Sequence, residues 1–128
     1  MRLLLDTHAL LWWFTDDPRL SVRAREAILD ERNTIYVSAA SAWEIATKQR
    51  IGKLNGVPEA TQFFPVLVAA DGFINLAITY VHSLRAGAYT VPHRDPFDRM
   101  LAAQSEIEMC ALVTQDPAFE AFLCHTFW

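Results

Sequence analysis

The stretch Leu3-Leu4-Leu5-Asp6-Thr7-His8-Ala9-Leu10-Leu11-Trp12-Trp13-Phe14 decides the fold. Three consecutive leucines stop abruptly at an acid. So short and wholly apolar a run suits a strand covered on both faces, although its length alone also allows helix. From Thr7 to Phe14 the apolar density suits a buried helix, and Asp16-Asp17-Pro18 then breaks the chain. The opening is therefore a strand, an acid at its carboxyl end, and a helix that starts directly after the acid.

The same alternation continues outward from that unit. Ser21 is placed to cap a helix over 22–29, with Val22, Ala24, Ala27 and Ile28 on its inward side. After a turn at Asn33, the β-branched and aromatic run Thr34–Val37 reads as a second strand. A helix follows from Ala39 to Arg50, with cations in its last turn and Gly52 as its stop. Asn55-Gly56 is a turn, and Pro58-Glu59 starts a helix that runs to Ala70 with a kink at Pro65. Phe73–Leu76 is a third strand, and Thr79 caps a helix over 80–86 that Gly87 closes. Asp95-Pro96 opens a helix reaching Glu108, with Phe97, Met100, Leu101 and Gln104 inward. Ala111–Thr114 is the fourth strand, Asp116-Pro117 leads into a short helix, and Cys124–Trp128 forms an edge strand. Strands alternating with helices imply right-handed crossovers and a mainly parallel sheet between helical layers, an α/β fold.

At 128 residues, with no repeat or Gly/Ser linker, the chain is one domain, 1–128. A hydrophobic content of 52% excludes intrinsic disorder. Eleven basic against fifteen acidic residues give a net charge of −4, which argues against a sequence-independent nucleic-acid coat. Two cysteines, Cys110 and Cys124, are too few for a disulfide framework or a zinc cluster and read as reduced thiols. Asp6 and His8 interrupt the N-terminal apolar region, which therefore fails as a signal peptide. Apolar runs such as Ala9–Phe14 fall far short of the ~20 residues a membrane span needs. The expectation is a soluble, cytoplasmic protein without a membrane partner.

Ligands in open α/β sheets gather beyond the carboxyl ends of the strands. Asp6 falls there after the first strand, Glu44 in the helix after the second, and Asp116 after the fourth. Asp98 joins them if its helix N-terminus points the same way. Each acid also has a structural use: Asp6 and Asp116 as caps, Glu44 closing a Ser41-Ala42-Trp43-Glu44 capping box, Asp98 favoured by the helix dipole. Their common topological position is what selects them. Four carboxylates at one edge repel one another unless a cation sits among them, and an oxygen-only set favours Mg²⁺ or Mn²⁺ over zinc. The four equal the net negative charge, so the rest of the chain is balanced.

Leu4-Leu5-Asp6-Thr7-His8-Ala9-Leu10, Val37-Ser38-Ala39-Ala40-Ser41-Ala42-Trp43-Glu44-Ile45, His93-Arg94-Asp95-Pro96-Phe97-Asp98-Arg99 with Met100-Leu101-Ala102-Ala103-Gln104, and Val113-Thr114-Gln115-Asp116 together resemble the PIN-domain family. Within it they are most similar to the toxins of VapBC-type toxin–antitoxin systems. The resemblance spans nearly the whole chain in order and spacing. It implies a three-layer α/β/α sandwich with a mainly parallel central sheet and an endoribonuclease that uses one or two Mg²⁺ or Mn²⁺ ions. Residue by residue, it implies Asp6, Glu44, Asp98 and Asp116 as metal-site and catalytic acids. Asp98 is preferred to Asp95 because it begins the helical Asp-x-x-x-Ala-Ala run, which leaves Asp95 as the helix cap. Thr7, Ser38 and Thr114 resemble the hydroxyls that support those acids. RNA is the implied substrate, hydrolysed to a 5′-phosphate and a 3′-hydroxyl, with a homodimer and a small cognate antitoxin as implied partners. A housekeeping RNA-processing nuclease and a catalytically silent binding module remain the alternatives.

Lys48, Arg50 and Lys53 form the nearest approach to a basic cluster, with Arg94 and Arg99 beside the acids. They read either as dipole-favoured surface charges or as contacts to an RNA backbone. His8, His82, His93 and His125 lack metal-ligand spacing and read as surface or locally bonded groups, His93 lying nearest the acid motif. Trp43 is expected in the core. Adjacent Trp12 and Trp13 cannot share one helix face, so one of them is expected to reach a dimer or antitoxin surface.

Overall fold

The computed structural model describes residues 1–54 and 59–128. The Asn55-Gly56 turn and the helix start at Pro58 lie outside the described residues. The strands are β1 (Arg2–Leu5), β2 (Thr34–Ser38), β3 (Ile74–Leu76), β4 (Ala111–Val113) and β5 (Thr126–Phe127). The helices are α1 (Thr7–Phe14), α2 (Val22–Leu29), α3 (Ala39–Arg50), α4 (Glu59–Gln62), α5 (Phe64–Ala70), α6 (Tyr80–Ala88) and α7 (Pro96–Glu108), with a 3₁₀ turn at Pro117–Ala121.

Among the described residues the sheet is wholly parallel, in the order β3-β2-β1-β4-β5. Leu3, Leu4 and Leu5 stand in its centre and are fully buried, which is why this strand carries no polar alternation. Leu3 and Leu5 face one layer, packing with Ile35, Val37 and Val113 beneath α1, α2, Ile45 of α3 and Val68 of α5. Leu4 faces the other, against Leu101 and Ala102 of α7, Leu112 and Phe119. Register pairs Leu4 with Tyr36 on one side and Leu112 on the other, so the leucine triplet links both cores. Burying each leucine contributes roughly 1.5–3 kcal/mol. The result is the expected three-layer α/β/α sandwich.

From β1 the chain steps outward to β2 and β3, then returns to the opposite side for β4 and β5. The direction reverses between β1 and β4. At their carboxyl ends diverging connections leave a crevice, the usual ligand position in such sheets. Among the described residues, no helix is long and apolar enough to cross a membrane.

Several local expectations are corrected. Val22 is exposed rather than inward, because Ala24 lies two residues on, across the helix; the buried face is Ala24, Ala27 and Ile28. Pro65 does not kink one helix. The chain breaks at Phe63, and Pro65 occupies the first turn of α5, where its missing N–H costs nothing. Gly87 lies inside α6, which continues to Ala88. β3 begins one residue later than expected, and Phe73 before it is buried. Gly52 does terminate α3: at φ +75° it turns the chain after Ile51.

Candidate active site

Asp6 follows β1 and opens α1. Its Oδ1 accepts the Ala9 N–H at 2.7 Å, so the carboxylate caps α1. The Asp6 N–H donates to Val113 O at 3.1 Å, continuing the parallel β1–β4 ladder up to the acid. Asp6 is 5% exposed, and burial raises its pKa above the ordinary value, with Glu44 adding repulsion. The Thr114 hydroxyl and the Ala9 N–H oppose that rise.

Glu44 is equally buried but has no capping role. The N-cap of α3 is Ser38, whose Oγ accepts the Ala40 N–H, and Ser41 lies inside the helix. The expected Ser41–Glu44 capping box therefore does not form. Ser41 instead accepts a hydrogen bond from Thr7 Oγ1 at 3.1 Å, tying α1 to α3. Freed from the cap, Glu44 points to the strand ends, where its Oε2 lies 2.6 Å from Lys48 Nζ.

Asp95 caps α7, accepting the N–H groups of Phe97 and Asp98. Asp98, in the first turn, is bonded to His93 Nε2 at 2.8 Å. Burial pushes the Asp98 carboxyl up to about 6, helped by repulsion from Asp95 and Glu44 and opposed by His93. Glu44 thus adds a lesser repulsion to the burial that raises both Asp6 and Asp98.

Asp116 enters from the other side. It caps the 3₁₀ turn through the Ala118 N–H, and its own N–H donates to Thr114 Oγ1, the hydroxyl that also bonds Asp6. Asp6 and Asp116 share a cleft of about 380 Å³ with His8, Trp12, Gln115 and Pro117. Glu44 is thus coupled to Asp6 and to Asp98, and Asp116 is linked to Asp6 through Thr114 and a shared cleft. Among the described residues, no three His, Cys, Asp or Glu side chains already close on one point as a metal cage. Each acid is held by a partner of its own: Lys48, His93, or a helix N–H.

The supporting residues divide. Thr114 reaches the acids; Thr7 and Ser38 hold the frame, Ser38 donating to Gln104 Oε1 of α7. Arg99 is not available to a backbone phosphate. Its guanidinium donates to the carbonyls of Ala86, Val91, His93 and Tyr89, lacing the end of α6 and the loop before α7. Arg50, Lys53 and Arg94 are exposed, whereas Lys48 belongs to the acid cluster.

The expectation for Trp43 is corrected. Trp12 is buried edge-on to Trp128 under Arg19. Trp13 is partly buried against Phe73, its Nε1 donating to Asp71. Trp43 is the exposed one, 59% accessible, its ring perpendicular to Phe97 at 4.8 Å. Sequence reading missed this aromatic pair, although the dipeptides Trp43-Glu44 and Phe97-Asp98 were a signal: each aromatic precedes a site acid. His82 is fully buried, accepting the Thr79 N–H in a capping box and meeting Glu108 at 2.9 Å, far from the acids along α7.

One consequence is pH dependence of the metal-free protein. A carboxyl whose folded pKa exceeds its unfolded value adds stability that is complete below the unfolded pKa, and it is lost as pH rises through the folded pKa. For Asp98 that window runs from 3.8 to about 6. In EDTA at about pH 7.5, Asp98→Asn is expected to be more stable than wild type by ~2 kcal/mol, the difference closing near pH 4. Denaturant titration at the two pH values reads this directly; equal stability at both would show that Asp98 carries no penalty.

A family model for the PIN domain matches residues 3–122. Ribonuclease VapC16 of Mycobacterium tuberculosis is 35% identical over 79 residues, covering 59% of this chain and 56% of that protein. The match thus spans little more than half the length of this curated relative. Among solved structures, the chain is similar to one in VapBC2 from Rickettsia felis bound to a DNA fragment from their promoter. There the TM-score is 0.70 at 14% identity, covering 98% of this chain and 96% of that one. It is also similar to a chain of FitAB bound to an IR36 DNA fragment, with TM-score 0.62 at 18% identity, covering 98% and 93%. At these identities the structural likeness is one of fold.

Proposed function

Because the chain belongs to the PIN domain family, we propose that it is a divalent-metal-dependent endoribonuclease, the toxin of a type II toxin–antitoxin pair. The observation that carries this reading is the meeting of Asp6, Glu44 and Asp98 at the strand ends, with Glu44 repelling both partners. A protein keeps buried carboxylates together at a stability cost where they serve a ligand. The relative named as a ribonuclease supports RNA as substrate, and the VapBC2 and FitAB complexes support a small antitoxin partner.

The donor set fits Mg²⁺ or Mn²⁺: it is all carboxylate oxygen, and a cation would offset the burial that chiefly raises Asp6 and Asp98 together with the lesser repulsion from Glu44. Asp6 and Asp98 would hold the ion, with Glu44 and Asp116 completing the site through water. When bound, such an ion polarises a phosphodiester and lowers the pKa of a coordinated water to near neutrality. The chain's own groups do the rest. Glu44 and Asp116 would orient the attacking water. Thr114 keeps Asp6 and Asp116 in register, and His93 holds the Asp98 carboxylate. Lys48 balances the Glu44 charge, and the exposed Arg50, Lys53 and Arg94 would meet the RNA backbone. A homodimer is part of the same proposal.

The purified protein should cleave RNA with Mg²⁺ or Mn²⁺, stop in EDTA, and recover on adding Mn²⁺. Cleavage that persists in EDTA would overturn the metal assignment. No cleavage under any of these conditions would leave the silent binding module. A short reading frame immediately upstream should encode a protein that co-purifies with this chain and suppresses its activity.

A further inference from the structure

The partners of the buried acids differ in kind. Asp6 is bonded to a backbone N–H and to the Thr114 hydroxyl, and Asp98 to His93. Glu44 instead meets a full ammonium, Lys48 Nζ lying 2.6 Å from its Oε2. The two stand at i and i+4 on α3 with the acid on the N-terminal side, the favourable order. At a protein surface such a pair is weak. Here the carboxylate is only 4% exposed and needs a counter-charge, whereas the lysine is 32% exposed and keeps a way out to solvent. A compact charge on a flexible four-carbon stem is suited to leaving. The Glu44 charge that Lys48 answers is also the one that acts on Asp6 and Asp98. The ammonium therefore sits on the carboxylate that links the group, and a dication drawn to these acids meets its like charge there.

We propose that Lys48 is a built-in placeholder for the metal: it neutralises Glu44 in the metal-free protein, gives the carboxylate up when a divalent cation binds, and thereby sets the affinity of the site for that cation. This rests on the metal-site reading above and extends it to the protein without an ion. The exchange keeps Glu44 compensated in both states, so the empty site is never left with an unpaired buried charge. It also weakens metal binding, because the incoming ion must displace the ammonium.

The chain has two lysines, Lys48 and the exposed Lys53, so amine acetylation read by mass spectrometry reports Lys48 against an internal standard. With EDTA-treated wild type, saturating Mg²⁺ should speed acetylation of Lys48 several-fold and leave Lys53 unchanged. This measurement stands whether or not a variant folds. Calorimetric titration with Mn²⁺ is the second: Lys48→Met should lower Kd about tenfold, and Lys48→Arg, which keeps the charge, should stay near wild type. Arg32→Met removes a cation paired with Asp30 at the opposite end of β2 and should leave Kd unchanged. Acetylation of Lys48 that Mg²⁺ leaves unaltered or slows overturns the placeholder. So does a Kd in Lys48→Met equal to or weaker than wild type, which makes Lys48 a support of the site rather than a competitor. Equal tightening by Arg32→Met assigns the effect to net charge and overturns it as well. If the wild type binds neither ion, the metal reading falls and the placeholder with it. If it binds without these responses at Lys48, the placeholder alone falls.

Discussion

Asp6→Asn is expected to lower metal-dependent RNA cleavage by about 10³-fold while leaving the protein folded. The two halves of that result have separate causes. Asparagine keeps the oxygen that accepts the Ala9 N–H, and it is as good an N-cap as aspartate, so α1 still starts at Thr7. What disappears is a negative charge on a 5% exposed side chain, beside Glu44 and one hydroxyl bond from Asp116. Burial already disfavours that charge, so the amide relieves the metal-free fold, and its melting temperature should equal or exceed that of wild type. The loss falls on the chemistry, because an amide oxygen is a poor ligand for a hard dication. Cleavage assays with Mg²⁺, paired with melting curves in EDTA, separate the two effects. Full activity with metal present would remove Asp6 from the site.

Arg99→Ala is expected to cost about 3 kcal/mol, because it leaves several partly buried carbonyls without their charged donor. In a chain of this length that is a fall of about 10 °C in melting temperature. The guanidinium meets Ala86 O at 2.9 Å, His93 O at 2.9 Å and Tyr89 O at 2.6 Å, so one side chain holds the loop that presents His93 to Asp98. Arg99→Lys should recover little, since an ammonium cannot span carbonyls spread over that fork. The salt dependence of RNA binding should be unchanged, because the charge is already committed inside the protein. Wild-type melting together with a shallower salt dependence would instead return Arg99 to the RNA-contacting surface.

These two residues show where sequence reading succeeds and where it stops. Asp6 was legible because its position followed from local rules: a triple leucine strand ends, a helix starts, and the acid lies between them at the carboxyl end. The cap role of Asp95 was legible for a similar reason, since Asp-Pro marks a helix start. Arg99 was not legible. A cation beside an acid motif looks the same in sequence whether it meets phosphate or backbone carbonyls, and the carbonyls it binds come from a loop folded back over it. Glu44 was found for its place after β2, yet its capping box was misread, because Ser38 and Ser41 offer equal local signals and only the path of β2 selects Ser38.

By itself the sequence determined the order of strands and helices, the two-sided burial of β1, and the acids at the strand ends. All of these depend on contacts between near neighbours or on the periodicity of apolar residues. Tertiary structure decided which helix faces meet. It buried Glu44 so that its charge acts on both Asp6 and Asp98, committed Arg99 to the loop and paired Lys48 with Glu44, and turned Trp43 outward beside Phe97 while burying Trp12 against Trp128. Those outcomes join residues tens of positions apart. Their energies arise from desolvation and charge in a shared crevice, which no single segment of the chain contains.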